Sequence, residues 1–148
     1  MKTINFKSVI TTGILSGIVI LASGLTMIPV VGDEMDKILN SRGLPPLSDW
    51  AILFICLVSI SIGIFLVFLY SLLKAHFNSK CKAAVTSSLI VFFVTYFLSN
   101  ASLVLYGFMP LKFAAIGTLW GLGELLLAGI IASLIYKDTQ PQFSSDVP

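Results

Sequence analysis

One acidic residue lies in the middle of a long apolar stretch, where a carboxyl group could bind a proton or a cation. Glu124 is the only Asp, Glu, Lys, Arg or His within the four long apolar runs of the sequence. An ionised side chain at the centre of a bilayer costs about 2.5 kcal/mol or more, so such residues face protein or a polar cavity and often mark proton or ion pathways. Because these runs contain no cation to pair with it, we expect Glu124 to be a neutral acid that donates one hydrogen bond and accepts others.

The third apolar run is the most polar of the four and supplies the expected partners of Glu124. Its Ser and Thr residues recur at helical spacing, which predicts one narrow polar stripe: Ser88, Thr95, Ser99, Ser102 and Tyr106. Counting inward from the short connection between the third and fourth runs places four side chains near the depth of Glu124: Thr95, Tyr96, Ser99 and Asn100. Together with Glu124 and Trp120, these residues form a candidate proton or polar-ligand site. We expect Trp120, one turn before Glu124, mainly to fill core space.

Three roles for Glu124 remain open from the sequence. It could be a structural polar group that pins the third and fourth helices together. Alternatively, it could be the proton or cation site of a translocation path, since intramembrane acids mark such paths. A third possibility is a lipid or small-ligand pocket polarised by Glu124 and flanked by Trp120.

Small residues at helical spacing predict close helix packing, because membrane helices associate through tight contacts rather than through the hydrophobic effect. The first run carries Gly13 and Gly17, followed by Gly24, on one face. The fourth run repeats the pattern with Gly117, Gly121 and Ala128, and Glu124 lies on that same face. We expect these faces to pack within the chain, while a contact between subunits of a homo-oligomer remains possible.

The four apolar runs are each long enough to cross a bilayer, which takes about 20 residues. Backbone groups cannot stay unpaired in hydrocarbon, and the runs do not alternate apolar and polar residues, so each is predicted to be a helix rather than a barrel strand. The predicted fold is therefore an all-α, four-helix transmembrane bundle in a single membrane domain. Its spans cover about 8–31, 50–73, 83–109 and 113–136, with a polar tail at 137–148.

The connections between the runs differ in charge and length. Residues 32–49 are expected to form an acidic loop with one or two helical turns near its start, and Ser48 is well placed to cap the second span. The segment 74–82 is short and basic, and only 110–112 separate the third and fourth spans. The first run also resembles a secretory signal ending at Gly24, but its length favours a retained span.

Orientation follows from Lys and Arg near the helix ends, which remain preferentially on the cytoplasmic side. One side holds Lys2, Lys7, Lys74, Lys80, Lys82 and Lys137, and the other holds Lys37, Arg42 and Lys112. This asymmetry predicts that both termini are cytoplasmic. The short loops suggest a bacterial-type inner membrane.

Composition excludes several classes of protein. Hydrophobic residues make up 57% of the chain and charged residues 11%, with a mean hydropathy of +1.00, unlike a water-soluble or a disordered protein. Neither a basic patch for nucleic acid nor a ligand set for a metal is expected, and Cys56 and Cys81 lie too far apart to pair. We expect no cofactor and no enzymatic activity. The sequence favours a multi-pass membrane protein with a structural or accessory role, with a proton-coupled small-solute transporter using Glu124 as the alternative.

Overall fold

The computed structural model describes residues 4–45 and 48–138, and within these ranges the four apolar runs form helices. Each of the four resulting spans is long and apolar enough to cross a membrane, as in a small multi-pass membrane protein. Lipid contact is implied by this length and composition. The helices are α1 (Phe6–Ser41), α2 (Asp49–Leu73), α3 (Lys80–Phe92), α4 (Leu98–Leu105) and α5 (Leu111–Ile135). A π-helical turn at Phe93–Phe97, called the π turn, joins α3 to α4, and the three together form the third span. The predicted tail beyond Asp138 lies outside the described residues.

Helix α1 is longer than the sequence analysis predicted. It continues without interruption through the stretch expected to be an acidic loop and ends at Ser41. A helix of 36 residues is about 54 Å long, which exceeds the roughly 30 Å hydrocarbon core, so its acidic end extends beyond the apolar segment. The physical reason is that extending an existing helix needs no new nucleus, and residues 34–39 are mostly good helix formers. Even Pro29 is accommodated inside the helix.

Two glycines in the left-handed region end α1 and α4. Gly43 has a φ of 66° and Gly107 a φ of 72°. After α1, the Leu44 amide donates to the Leu39 carbonyl at 3.0 Å, and after α4 the Phe108 amide donates to the Leu103 carbonyl at 2.8 Å. Both ends therefore have the six-to-one hydrogen bond of a glycine C-cap.

The glycine cap after α4 corrects the predicted end of the third span. That helix ends at Leu105 rather than near residue 109, and the connection to α5 is 106–110 rather than 110–112. Helix α5 then begins directly after Pro110, whose backbone nitrogen has no hydrogen and cannot donate a hydrogen bond to a preceding turn. The predicted cap of α2 is confirmed, because the Ser48 hydroxyl accepts from the Ala51 amide at 3.3 Å.

The helices pack in chain order around the bundle. Helix α1 contacts α2 and α5, whereas α3 contacts α2 and α5 from the opposite side. Helix α4 differs from the others because, of the described helices and apart from the π turn, it contacts α5 alone. The second half of the third span, α4, therefore packs against a single helix.

Packing is dense at one end of the bundle and sparse at the other. The basic end, which carries Lys7, Lys74, Lys80, Lys82 and Lys137, encloses a core of Val9, Val67, Tyr70, Ala83, Ala84, Ala132 and Tyr136. A second cluster lies near mid-span and consists of Ile20, Leu66, Val91, Leu125 and Ala128. Towards the opposite, acidic end, Ala114 is the only buried residue in the described ranges 21–45, 48–58 and 98–120. The helices therefore leave lateral grooves in that half.

Polar and aromatic contacts close the basic end. The rings of Tyr70 and Tyr136 meet edge-on with centroids 5.7 Å apart. Lys74 Nζ lies 5.3 Å from the Tyr136 ring centroid and 2.7 Å from a carboxylate oxygen of Asp138. The Lys137 amide donates to the Ser8 hydroxyl at 3.0 Å. These contacts join the ends of α1, α2 and α5.

Candidate functional site

Glu124 lies on α5 with only 5% of its surface exposed. The Tyr96 hydroxyl, on the π turn of the third span, donates a hydrogen bond to Glu124 Oε1. Gly121, one turn earlier on α5, makes this possible, because a Cβ at that position would overlap the Tyr96 ring. The site therefore depends on a close approach of the third span to α5 at a glycine.

The π turn sets which polar residues of the third span face α5. In a regular α-helix, Thr95 and Ser99 would share a face with Ser88. The extra residue of a π turn shifts the following residues by one position, so Tyr96 and Asn100 occupy that face instead. Accordingly, the Ser88 hydroxyl donates to the Leu125 carbonyl at 2.8 Å, and Asn100 Nδ2 donates to Thr118 Oγ1 at 3.0 Å.

The structure does not bring Thr95 or Ser99 to Glu124. The Thr95 hydroxyl donates to the Val91 carbonyl of its own helix at 2.8 Å, and Ser99 is exposed. Asn100 is on the expected face but bonds Thr118 rather than Glu124. Of the four expected partners on the third span, Tyr96 alone contacts the carboxyl group.

A groove of about 470 Å³ lies between α1 and α5, and Glu124 forms part of its wall. Trp120 also lines this Glu124 groove and is 37% exposed, so it does not fill the core as expected. Its indole Nε1 donates to the Ser23 hydroxyl of α1 at 3.1 Å. The sequence analysis missed Ser23, although a hydroxyl in the first run, close to the middle of the membrane, was a usable signal.

A second groove of about 570 Å³ lies on the other side of α5, against α4. Asn100 and Thr118, which bond each other, are its polar lining residues, and the rest of its wall is apolar. No acidic or basic side chain of the described residues lines it. The two grooves therefore differ in charge, and Glu124 belongs to only one of them.

The small residues of α1 divide into packed and open positions. A Cβ on Gly13 or Gly17 would lie 2.5 Å from the Cα of Ile64 or Ile60 of α2, so these glycines allow the two backbones to touch. Gly63 of α2 faces them across the same contact, and the sequence analysis did not select it. A Cβ on Gly24 would have no neighbouring atom within 4 Å, contrary to the predicted packing role.

The small residues of α5 also differ from one another. Ala128 is fully buried, and Gly121 accommodates Tyr96. A Cβ on Gly117 would lie 3.6 Å from Asn100 Nδ2, which is ordinary contact. Gly129, which the sequence analysis did not select, lies against the Ser88 hydroxyl and allows α3 to approach closely.

The described residues contain no cluster of three or more His, Cys, Asp or Glu side chains that could hold a metal ion. Cys56 and Cys81 are both free. The candidate site is therefore the single carboxyl group of Glu124 with its aromatic and hydroxyl neighbours.

Comparison of the chain with models of protein families, with curated proteins and with solved structures finds no match. Its function must therefore be inferred from its own residues.

Proposed function

We propose that the chain is a small multi-pass membrane protein with a structural or accessory role, in which the hydrogen bond from Tyr96 to Glu124 fastens the third span to α5. The observation that carries this proposal is the Tyr96 hydroxyl on the buried carboxyl group, with Gly121 leaving room for the ring. A carboxyl group in an apolar medium is costly unless it is hydrogen-bonded. Because the hydrogen-bond partner of Glu124 lies on another span, that cost is offset only when the third span packs against α5 at this position.

The position of α4 explains why this contact matters. Helix α4 packs on α5 alone and has no buried residue among those described. Apolar packing therefore contributes little to holding it. Two polar links connect this part of the third span to α5, namely Tyr96 to Glu124 and Asn100 to Thr118. Interhelical hydrogen bonds in membranes are worth about 0.6 kcal/mol on average and up to about 1.7 kcal/mol.

The Lys and Arg distribution supports the proposed orientation, with both termini in the cytoplasm. The short connections between the spans support the proposed location in a bacterial-type inner membrane. Five of the six lysines on the proposed cytoplasmic side lie among the described residues, at the basic end: Lys7, Lys74, Lys80, Lys82 and Lys137. The proposed role is non-catalytic. It rests on a helix contact rather than on a reacting group.

Two substitutions of Glu124 test the structural role. Gln keeps the size of the side chain and a carbonyl oxygen that accepts from Tyr96, so Glu124→Gln should leave thermal stability in detergent nearly unchanged. Leu removes the acceptor and leaves the Tyr96 hydroxyl unsatisfied, so Glu124→Leu should lower stability by about 1–2 kcal/mol. Equal stability of the Leu variant and the native chain would rule out the structural role.

A proton-coupled small-solute transporter is the second candidate, and it is favoured by the presence of Glu124 on the wall of an open groove. In proteoliposomes with an imposed pH gradient and an internal pH dye, small cations added in turn should speed the collapse of the gradient. Glu124→Gln should abolish this effect while the protein remains folded, because an amide cannot exchange a proton. A response that is unchanged in the Gln variant, or absent in the native chain, would reject transport through Glu124.

A further inference from the structure

The Glu124 groove has the size and the composition of a small-molecule site. Its volume of about 470 Å³ falls within the roughly 300–1,000 Å³ of typical ligand pockets, which are mostly apolar with a few placed polar groups. Its apolar wall comes from Ile116, Leu119, Gly123 and Leu127. The polar part consists of Ser23, Trp120 and Glu124. The groove faces sideways, between α1 and α5, and extends from mid-span into the sparsely packed half of the bundle.

The hydrogen bonds that the polar groups already make determine which class of ligand can bind in the groove. The Tyr96 hydroxyl donates to one oxygen of the Glu124 carboxyl group, and the Ser23 hydroxyl also lies beside that group. An ionised carboxyl group offers about four acceptor positions, so further positions remain for a ligand. The indole N–H of Trp120 is already donated to Ser23. The ring face of Trp120 and the remaining acceptor positions of the carboxyl group are therefore the features that a ligand would meet.

Charge complementarity identifies the ligand class. Among the residues that the structure describes, no Lys, Arg or His lines the Glu124 groove, so an anionic ligand would have no cationic partner among them. A divalent metal ion would need several oxygen ligands, whereas the groove supplies one carboxyl group. An organic ammonium ion would supply the cation that the apolar runs lack, so Glu124 would bind it as a carboxylate. The ion would lie against the indole face through a cation–π contact and place its apolar part on the leucine and isoleucine wall.

We propose that the Glu124 groove binds a lipophilic ammonium ion that enters laterally from the bilayer. This binding goes beyond the structural role proposed above and does not require transport. The Tyr96 hydrogen bond holds the carboxyl group in place, and Trp120 forms one side of the site. A neutral lipid chain is the competing occupant, and the test below distinguishes the two.

Trp120 provides the means of measuring binding. The chain has 2 tryptophans, and Trp50 is 79% exposed at the start of α2, outside the groove. In a Trp50→Phe background, Trp120 is therefore the only indole reporter. The protein is placed in phosphatidylcholine nanodiscs at neutral pH and titrated with 4-phenylbutylammonium and, separately, with its neutral analogue 4-phenylbutanol.

The ammonium probe should change Trp120 fluorescence saturably, whereas the neutral alcohol should bind at least about tenfold more weakly. Glu124→Gln in the same background should reduce the affinity for the ammonium to that for the alcohol. Thr118→Ser, which changes the wall of the second groove but keeps the hydroxyl that accepts from Asn100, is the matched control and should leave binding unchanged. Ser23→Leu, which fills the Glu124 groove from α1 and keeps the carboxyl group, should also abolish binding.

Two results would overturn the proposal. One is the absence of a saturable response to the ammonium. The other is equal binding of the ammonium and the alcohol, unaffected by Glu124→Gln, which would assign the groove to neutral lipid. Thermal unfolding of each variant shows whether it is folded, and Ser23→Leu provides a second test if the Gln variant is not. A negative result in the binding experiment would not contradict the structural role of the Tyr96–Glu124 hydrogen bond, because that role is tested separately by the stability of the variants.

Discussion

Tyr96 reaches Glu124 because Gly121, three residues earlier on α5, has no side chain. A Cβ there would overlap the edge of the Tyr96 ring. Among the described glycines of α5, Gly121 is the one opposed by an aromatic ring. The acid, the tyrosine and the glycine therefore act as one unit. The sequence shows the glycine and the acid on one face of a helix, but it does not show which residue of the third span they meet.

The size of residue 121 provides a direct prediction. Gly121→Ala should lower stability by about 1–3 kcal/mol, the usual cost of overpacking, because the Tyr96 ring must move away from Glu124. Gly123→Ala is the matched control on the same helix, since a Cβ at that position would have nothing within 4 Å. Thermal unfolding in detergent measures both. If the two alanine variants are equally stable, Gly121 does not limit the approach of Tyr96.

At the scale of helices, the sequence predicts that a helix is present more accurately than it predicts which face of the helix meets its neighbours. The length of an apolar run predicts a helical span because every backbone group must be paired in the bilayer, and the described residues form four helical stretches long and apolar enough to cross a membrane. The π turn at Phe93–Phe97 has no such signal. It rotates the following residues by about 100°, which brings Tyr96 and Asn100 to the face predicted for Thr95 and Ser99. The sequence therefore places Glu124 opposite the third span, but it shows neither the rotation of that span nor the contribution of Ser23 on α1.

The π turn can be removed or enlarged by one residue. Deletion of Val94, an exposed residue in that turn, should restore a regular α-helix with Tyr96 seven positions after Ser88, so Tyr96 still faces α5. Glu124→Leu should then still cost about 1–2 kcal/mol in the deletion variant. Insertion of one alanine after Val94 should rotate Tyr96 away and abolish that cost. Loss of the effect in the deletion variant, or its retention after the insertion, would contradict the assigned register.

Across the whole molecule, one half is packed and the other is open. The buried clusters occupy the basic end and mid-span. The Glu124 groove extends from mid-span towards the acidic end, and the second groove lies at the acidic end. Hydropathy alone cannot reveal this difference, because residues facing lipid and residues facing protein are equally apolar in a membrane. The number of spans and the Lys distribution follow from the sequence, while the grooves depend on how closely the helices approach.

The orientation of the whole chain is a prediction from its Lys and Arg residues. In a background with both cysteines replaced by serine, single cysteines are introduced at the exposed positions Asn40 and Asn78, at the acidic and basic ends. A membrane-impermeant maleimide added to intact cells should label Asn40→Cys, and it should label Asn78→Cys only after permeabilisation. The reverse pattern would place both termini outside.

The contact between Tyr96 and Glu124 is the central claim, and a double-mutant cycle measures it most directly. The free energy of unfolding in mixed micelles is compared for the native chain, Tyr96→Phe, Glu124→Leu and the double variant. Because the two side chains share one hydrogen bond, the single effects should not add, with a coupling energy of about 0.6–1.7 kcal/mol. Additive effects, with a coupling energy of zero within error, would show that the two residues do not interact and would contradict the account.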